Sequence, residues 1–105
     1  MNLERAVRRY VPMSETMFYI LLSLREPSHG YGVMLHVKEI TAGRLVLGAG
    51  TLYQSIGRLE GDGLIRPVRE EGRRKIYQIT ELGAGVLDVE GQRIRELYRN
   101  LEGLK

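Results

Sequence analysis

The stretch GAGTLYQSIGRLEGDG, from Gly48 to Gly63, constrains the fold of this chain more than any other. Apolar side chains recur in it at positions i, i+4 and i+7, which predicts an α-helix with one apolar stripe facing the core. These apolar residues are Leu52, Ile56 and Leu59. Gly63 predicts where the helix ends, because glycine readily adopts the left-handed conformation that often follows a helix.

The opposite side of this helix carries a hydroxyl, an amide and a guanidinium group, since Thr51, Gln54 and Arg58 fall together there. Groups of this kind hydrogen-bond to base edges and to phosphates. An apolar back and a front rich in hydrogen-bond donors are what binding in a DNA groove requires. From this stretch alone, an ordinary amphipathic surface helix is an equally good interpretation.

Composition excludes several classes of protein. The 105 residues suffice for one domain, and the apolar (43%) and charged (28%) fractions are typical of a folded globular protein. The absence of cysteine excludes disulfides, thiolate metal sites and thiol nucleophiles. The first ten residues lack the apolar core of a secretion signal, and no apolar run is long enough to span a membrane. We therefore expect a cytoplasmic protein without a membrane partner.

A short N-terminal helix or arm is predicted over residues 1–13. Three residues at helical spacing support it: Leu3, Val7 and Tyr10. Ser14 is a good N-cap for the next helix, whose run from Met17 to Leu24 is apolar on nearly all sides and should be buried. Pro27 ends this helix.

A turn of small residues from Ser28 to Gly32 leads into a further helix, which Ala42–Gly43 ends. Its predicted core stripe comprises Val33, Val37 and Ile40. His29 and His36 have no Asp, Glu or Cys at ligand spacing, so we expect no metal or other cofactor. We expect His29 to be a turn residue and His36 to lie on the helix surface. The segment Arg44–Leu47 is a short connection whose alternating leucines are compatible with a minimal strand.

A β-hairpin is predicted after the central helix. An extended segment runs from Leu64 to Arg69, Glu70–Gly72 forms the turn, and a second strand runs from Arg73 to Ile79. Residues 66–75 contain five basic and two acidic side chains, which is a local net charge of +3. A basic hairpin is often only a solvated loop, but directly after three helices it is typical of a wing that contacts DNA.

Thr80 caps a final helix that is predicted to end near Glu102. Apolar residues fall at heptad a and d positions along it, with a tyrosine beside them. These residues are Leu87, Ile94, Leu97, Tyr98, Leu101 and Leu104. Three glycines each cost the helix about 1 kcal/mol relative to alanine. They are Gly83, Gly85 and Gly91. Because the other helices already enclose a core, the apolar stripe predicts a homodimer.

Four sequence motifs resemble those of the PadR family of bacterial transcriptional regulators. They are His29-Gly30-Tyr31-Gly32, Gly50-Thr51-Leu52-Tyr53, Arg58-Leu59-Glu60-x-Asp62-Gly63-Leu64-Ile65 and Gly72-Arg73-Arg74-Lys75-x-Tyr77-x-Ile79-Thr80-Glu81-x-Gly83. The motifs occur in the same order and with the same spacing as in the family, over roughly Ser14 to Gly83. The single C-terminal helix resembles the short subgroup of the family.

This resemblance implies a mainly α fold with a small β-hairpin. A winged helix-turn-helix domain would occupy residues 14–80, and a C-terminal dimerisation helix residues 81–105. It also implies a homodimer that binds a palindromic operator in double-stranded DNA and represses a neighbouring gene. The DNA-binding residues would be Tyr31, Thr51, Tyr53, Gln54, Arg58, Arg73, Arg74 and Lys75. The family commonly has proline after Thr-Leu-Tyr, and Gln54 here frees that position for a base contact.

Some small family members bind flat, apolar ligands at the dimer interface, so the resemblance also implies a small aromatic or apolar effector. The chain has no tryptophan, and its aromatic candidates are Tyr98, Tyr10 and Phe18. Two other classes compete with a DNA-binding regulator. A winged-helix protein–protein module would have an apolar third helix and a neutral wing, and an enzyme would need paired catalytic groups in a cleft. The acidic residues are instead predicted to be scattered on helix surfaces.

Overall fold

The computed structural model describes residues 1–103, which form five helices and one β-hairpin. In chain order the elements are α1 (Leu3–Tyr10), α2 (Glu15–Ser23), α3 (Gly30–Ile40), α4 (Ala49–Gly61), β1 (Ile65–Glu71), β2 (Arg74–Ile79) and α5 (Glu81–Glu102). This is the order of helices and strands that the sequence predicts, with a mainly α fold and one small hairpin. Leu104, which the heptad pattern assigns to a dimer interface, lies outside the described residues.

Side-chain caps begin most of the helices. The Ser14 hydroxyl accepts a hydrogen bond from Met17 N at 3.1 Å, and the Thr80 hydroxyl accepts one from Gly83 N at the same distance. Each cap satisfies a backbone N–H that has no partner inside its own helix. The predicted starts of α2 and α5 are therefore confirmed by the hydrogen bonds that fix them.

The core contains residues from all five helices and from the start of β1. Its largest fully buried apolar side chains are Ile20, Leu21, Leu24, Leu52, Leu59, Leu64, Ile65, Val33, Val37 and Val86. The apolar stripe of α4 is therefore confirmed. The predicted burial of α2 is confirmed only for the side with Ile20, Leu21 and Leu24, whereas Phe18, Tyr19 and Leu22 are half-buried. Ile40 is an exception, because it is 45% exposed instead of extending the core stripe of α3. It lies in the last helical turn, beyond the core and directly before the chain reverses at Ala42 and Gly43.

The hairpin turn is tighter than the sequence predicts. Glu71 pairs with Arg74, so the turn consists of Gly72 and Arg73, whereas Glu70 and Glu71 belong to β1. Gly72 has a φ of +64°, a conformation that suits glycine and closes the chain within two residues. Arg73 therefore lies at the tip of the hairpin and not in the second strand.

The segment Arg44–Leu47 does not form the minimal strand that its leucines are compatible with. The free edge of β2 is used by Ser28 instead. The amide of Ser28 donates to Tyr77 O at 3.0 Å, and the amide of Tyr77 donates to Ser28 O at 2.8 Å. This bridge fixes the turn before α3 against the middle of β2, which brings the start of α3 beside the hairpin.

The two halves of α5 have different environments. In the first half Gly83 and Val86 are buried in the core, and Leu87 is half-buried against it. A Cβ at position 83 would overlap the Leu64 carbonyl oxygen and lie 2.8 Å from Ile79 Cγ1. This close approach of backbones explains why a glycine stands in a helix at that position. Within residues 1–103, no helix combines the length and the hydropathy needed to cross a bilayer.

Candidate nucleic-acid interface

The outward side of α4 carries Thr51, Gln54 and Arg58, all of which are exposed. They lie opposite the buried stripe of Leu52, Ile56 and Leu59. This side offers hydroxyl, amide and guanidinium groups along about two helical turns. We call these three residues the polar face of α4.

Asp62, the residue that directly follows α4, forms an ion pair and a hydrogen bond with α1. Asp62 Oδ2 lies 2.9 Å from Arg9 Nε and accepts a hydrogen bond of 2.6 Å from the Tyr10 hydroxyl. Burial, this hydrogen bond and the charge of Asp62 together raise the pKa of Tyr10 to about 12, against the opposing charges of Arg58 and Arg9. The negative charge of Asp62 is therefore compensated within the chain.

Tyr10 also supports Arg58. The guanidinium carbon of Arg58 lies 5.1 Å from the centroid of the Tyr10 ring, which is a cation–π distance. Tyr10 is only 5% exposed, so its ring forms part of the core on which the C-terminal end of α4 lies. The helical spacing of α1 predicts that this tyrosine is on the packed side, but no local pattern indicates its bond to Asp62.

Five of the eight predicted DNA-binding residues line one cleft of about 300 Å³. They come from α3, α4 and the hairpin, and are Tyr31, Tyr53, Arg73, Arg74 and Lys75. His29, Gly30 and Tyr77 complete the lining. We call this the basic cleft, because three of the lining side chains are cationic and none is a carboxylate. The other three predicted residues form the polar face of α4.

Aromatic rings position Arg74 in the basic cleft. The rings of His29 and Tyr31 are stacked, with centroids 6.5 Å apart and an interplanar angle of 10°. Arg74 places its guanidinium carbon 5.9 Å from the centroid of the Tyr31 ring. The Tyr53 ring lies so close to Gly30 that a Cβ there would be 2.7 Å from its hydroxyl. Tyr31 itself is in the first turn of α3, not in the turn before it.

His29 is a member of the basic cleft that sequence reasoning treats only as a turn residue. Its Nδ1 accepts a hydrogen bond of 3.0 Å from Gly32 N and so caps α3. Its Nε2 lies 3.2 Å from Nη1 of Arg74. The contact joins residues 45 positions apart in the chain, so no local spacing could have indicated it.

The second half of α5 exposes an apolar stripe. Ile94, Leu97, Tyr98 and Leu101 are between 37% and 62% exposed. We call these four residues the α5 stripe. Leu87, predicted to belong with them, packs partly against the chain's own core.

Glu90 is buried at the start of this exposed half, contrary to the expectation that acidic residues lie on helix surfaces. It is 1% exposed, and its carboxylate accepts hydrogen bonds from Met13 N at 2.7 Å and from Arg93 Nε at 2.6 Å. Burial alone would raise the pKa of Glu90, but these two hydrogen bonds together with the charge of Arg93 outweigh it and lower the pKa. Glu90 therefore joins the segment before α2 to α5.

Comparison with known proteins decides the family. Residues 19–89, more than half of the chain, match the model of the transcriptional regulator PadR-like family. The chain belongs to the PadR-like family. Two solved structures support this assignment. The chain is 27% identical to a PadR-like transcription factor from Bacteroides fragilis, with a TM-score of 0.72 over 86% of this chain and 89% of that one. It is 26% identical to a PadR family transcriptional regulator from Eggerthella lenta, with a TM-score of 0.72 over 95% and 85% of the two chains.

The curated relatives of this PadR-like chain are longer proteins. Over 78 residues the chain is 27% identical to the transcriptional regulator YqjI of Escherichia coli, a match that covers 74% of this chain and 38% of YqjI. Another relative is matched over only 24% of its length. The chain thus spans well under half the length of the curated relatives it matches. The family and the winged-helix fold predicted from the four sequence motifs are confirmed.

Proposed function

We propose that this PadR-like protein is a homodimeric repressor that binds a palindromic operator in double-stranded DNA. The observation that carries the proposal is that the polar face of α4 and the basic cleft are continuous. Tyr53 connects the two surfaces, because it belongs to α4 and also lines the cleft. In a winged helix-turn-helix protein such an arrangement allows one helix to read bases while the hairpin contacts phosphates. A protein–protein module would instead present an apolar side of α4.

Base and phosphate contacts divide between the two surfaces in this proposal. Gln54 and Arg58 on α4 have the amide and guanidinium groups that pair in a bidentate manner with adenine and guanine edges. Arg73, Arg74 and Lys75 are cations at and beside the hairpin tip, suited to phosphates. Replacing Gln54 with alanine should therefore change the preferred base at one position of each half-site and leave the salt dependence of binding unchanged.

The salt dependence of DNA binding tests the phosphate contacts. Affinity for a fixed duplex, measured by fluorescence anisotropy, should fall with salt with a log–log slope of about −0.9 per phosphate contact. Replacing Arg73 and Arg74 together with alanine should reduce that slope by about one to two units. Arg25→Ala is the matched control, because Arg25 is exposed but does not line the basic cleft. Equal slopes for the double variant and the control would contradict the proposal.

The homodimer is supported by the α5 stripe. Its four apolar residues follow one another at heptad spacing and are left open by the chain's own core. A second copy of α5 packed against it would bury both stripes, as in a two-stranded coiled coil. The dimer would also present two α4 helices to a palindromic site.

We also propose that a small aromatic or apolar effector binds beside the α5 stripe. A cavity of about 340 Å³ there is lined by Phe18, Tyr19 and Ile94 among others. Tyr98 is 62% exposed on the neighbouring turn, whereas Tyr10 is buried and is not available to a ligand. Titration with phenolic acids and with flat apolar dyes, while operator release is monitored, tests this proposal. No release with any compound class would contradict it.

A further inference from the structure

The two nitrogens of His29 face two groups that can only donate hydrogen bonds. Gly32 N lies 3.0 Å from Nδ1, and Arg74 Nη1 lies 3.2 Å from Nε2. A neutral imidazole has one N–H and one lone-pair nitrogen, so it can accept only one of these bonds. The backbone amide of Gly32 is fixed in the first turn of α3, which assigns the lone pair to Nδ1 and the proton to Nε2. The Nε2–H and the guanidinium of Arg74 are then two adjacent donors for which residues 1–103 supply no common acceptor.

We propose that a backbone phosphate of duplex DNA is this acceptor, so that His29 is a DNA-binding residue. A phosphate oxygen placed in the basic cleft would accept from His29 Nε2–H and from Arg74 together. Stacking restrains both donors, since the Tyr31 ring lies against the His29 ring and below the Arg74 guanidinium. Lys75 lines the same cleft and adds positive charge. The inference rests on the proposed function, because it assigns a further contact to the same surface.

Two variants separate this contact from the helix cap that His29 also provides. His29→Asn places an amide oxygen near the position of Nδ1 and keeps the cap, since Asn is a favoured N-cap, but removes the Nε2–H. His29→Gln places an amide N–H near the position of Nε2 but cannot cap in the same way. We expect His29→Asn to lower operator affinity about tenfold or more at an unchanged melting temperature, as for loss of a hydrogen bond to a charged group. We expect His29→Gln to retain more of the affinity and to melt at a lower temperature.

The salt dependence distinguishes the neutral donor from the cationic one. Loss of a neutral imidazole donor does not change the number of counterions released on binding, so the log–log slope of His29→Asn should equal that of the wild type. Arg74→Ala should instead lose about one unit of slope. A scan with single methylphosphonate substitutions in the operator then locates the phosphate. Neutralising one linkage per half-site should weaken the wild type more than it weakens His29→Asn, which keeps only the Arg74 contact to that phosphate.

The outcomes are distinct for the two proposals. Equal affinities of the wild type and His29→Asn, with equal responses to every methylphosphonate, would show that His29 is only a helix cap and would overturn the inference. Failure of the wild type to bind any duplex with salt-dependent affinity would overturn the proposed function itself.

Discussion

Replacing Gly83 with alanine should strongly destabilise the protein, although alanine is the better helix former. The methyl group would meet the Leu64 carbonyl oxygen and would lie 3.0 Å from the Leu64 carbonyl carbon and 2.8 Å from Ile79 Cγ1. The same carbonyl accepts a hydrogen bond of 2.9 Å from Thr80 N. Because the obstacle is backbone on one side and a packed side chain on the other, the start of α5 must shift away from Leu64 and Ile79.

The magnitude follows from three contributions. Overpacking of this kind costs about 1–3 kcal/mol, and loss of the Thr80–Leu64 hydrogen bond costs about 1 kcal/mol. Helix propensity returns about 1 kcal/mol, which leaves a net loss of about 1–3 kcal/mol. Gly57→Ala is the matched control, because Gly57 lies inside α4 with nothing within 4 Å of a Cβ. It should gain about 1 kcal/mol from propensity alone.

Urea unfolding at one fixed protein concentration measures both variants, since the stability of a dimer depends on concentration. We expect the changes in the free energy of unfolding to have opposite signs for Gly83→Ala and Gly57→Ala. Equal stabilisation of the protein by both substitutions would refute the close packing of α5 on the segment before β1.

Three further variants test other contacts. Tyr10→Phe removes the hydrogen bond to Asp62 and should cost about 1–2 kcal/mol at pH 7. Folding raises the pKa of Tyr10 to about 12, so this stabilisation is complete below pH 10 and the difference between wild type and variant should shrink as the pH rises from 10 to 12. Glu90→Gln weakens the bonds to Met13 N and Arg93 and should cost about 1–2 kcal/mol at neutral pH. Because folding lowers the pKa of Glu90, its stabilisation is present above its usual pKa and is lost as the pH falls, so the two unfolding free energies should converge in acid. Leu97→Glu places a charge in the α5 stripe and should convert the dimer into monomers, as measured by sedimentation velocity, with unchanged helix content. An unchanged sedimentation coefficient would contradict the dimer proposal.

The sequence predicts most of the fold because its signals are local. The stripe of α4 follows from helical periodicity, and the caps at Ser14 and Thr80 follow from residues within three positions of each other. The hairpin is predicted correctly except for its turn, where the choice between two and three turn residues depends on the pairing of Glu71 with Arg74. Periodicity also assigns Ile40 to the core, since a pattern along one helix cannot show how far the neighbouring elements extend.

The candidate site is less accessible to sequence reasoning. The residue types on α4 and the hairpin tip can be read directly, but their supports are long-range contacts. Tyr10 meets Asp62, His29 meets Arg74 and Glu90 meets Met13 N across 45 to 77 positions of the chain. No spacing rule applies to such pairs, because they depend on how whole elements pack.

Selection of bound fragments from random-sequence duplex DNA is the sharpest test of the proposed operator recognition. We expect enrichment of two inverted half-sites whose centres lie about one helical turn, roughly 10 base pairs, or a multiple of it apart. Substitution of Gln54 should change the sequence of the enriched half-site. Replacing Arg73 and Arg74 together with alanine should weaken recovery of bound DNA without changing the half-site sequence. Failure to enrich any sequence, or enrichment of an unpaired site that is insensitive to Gln54, would contradict the claim.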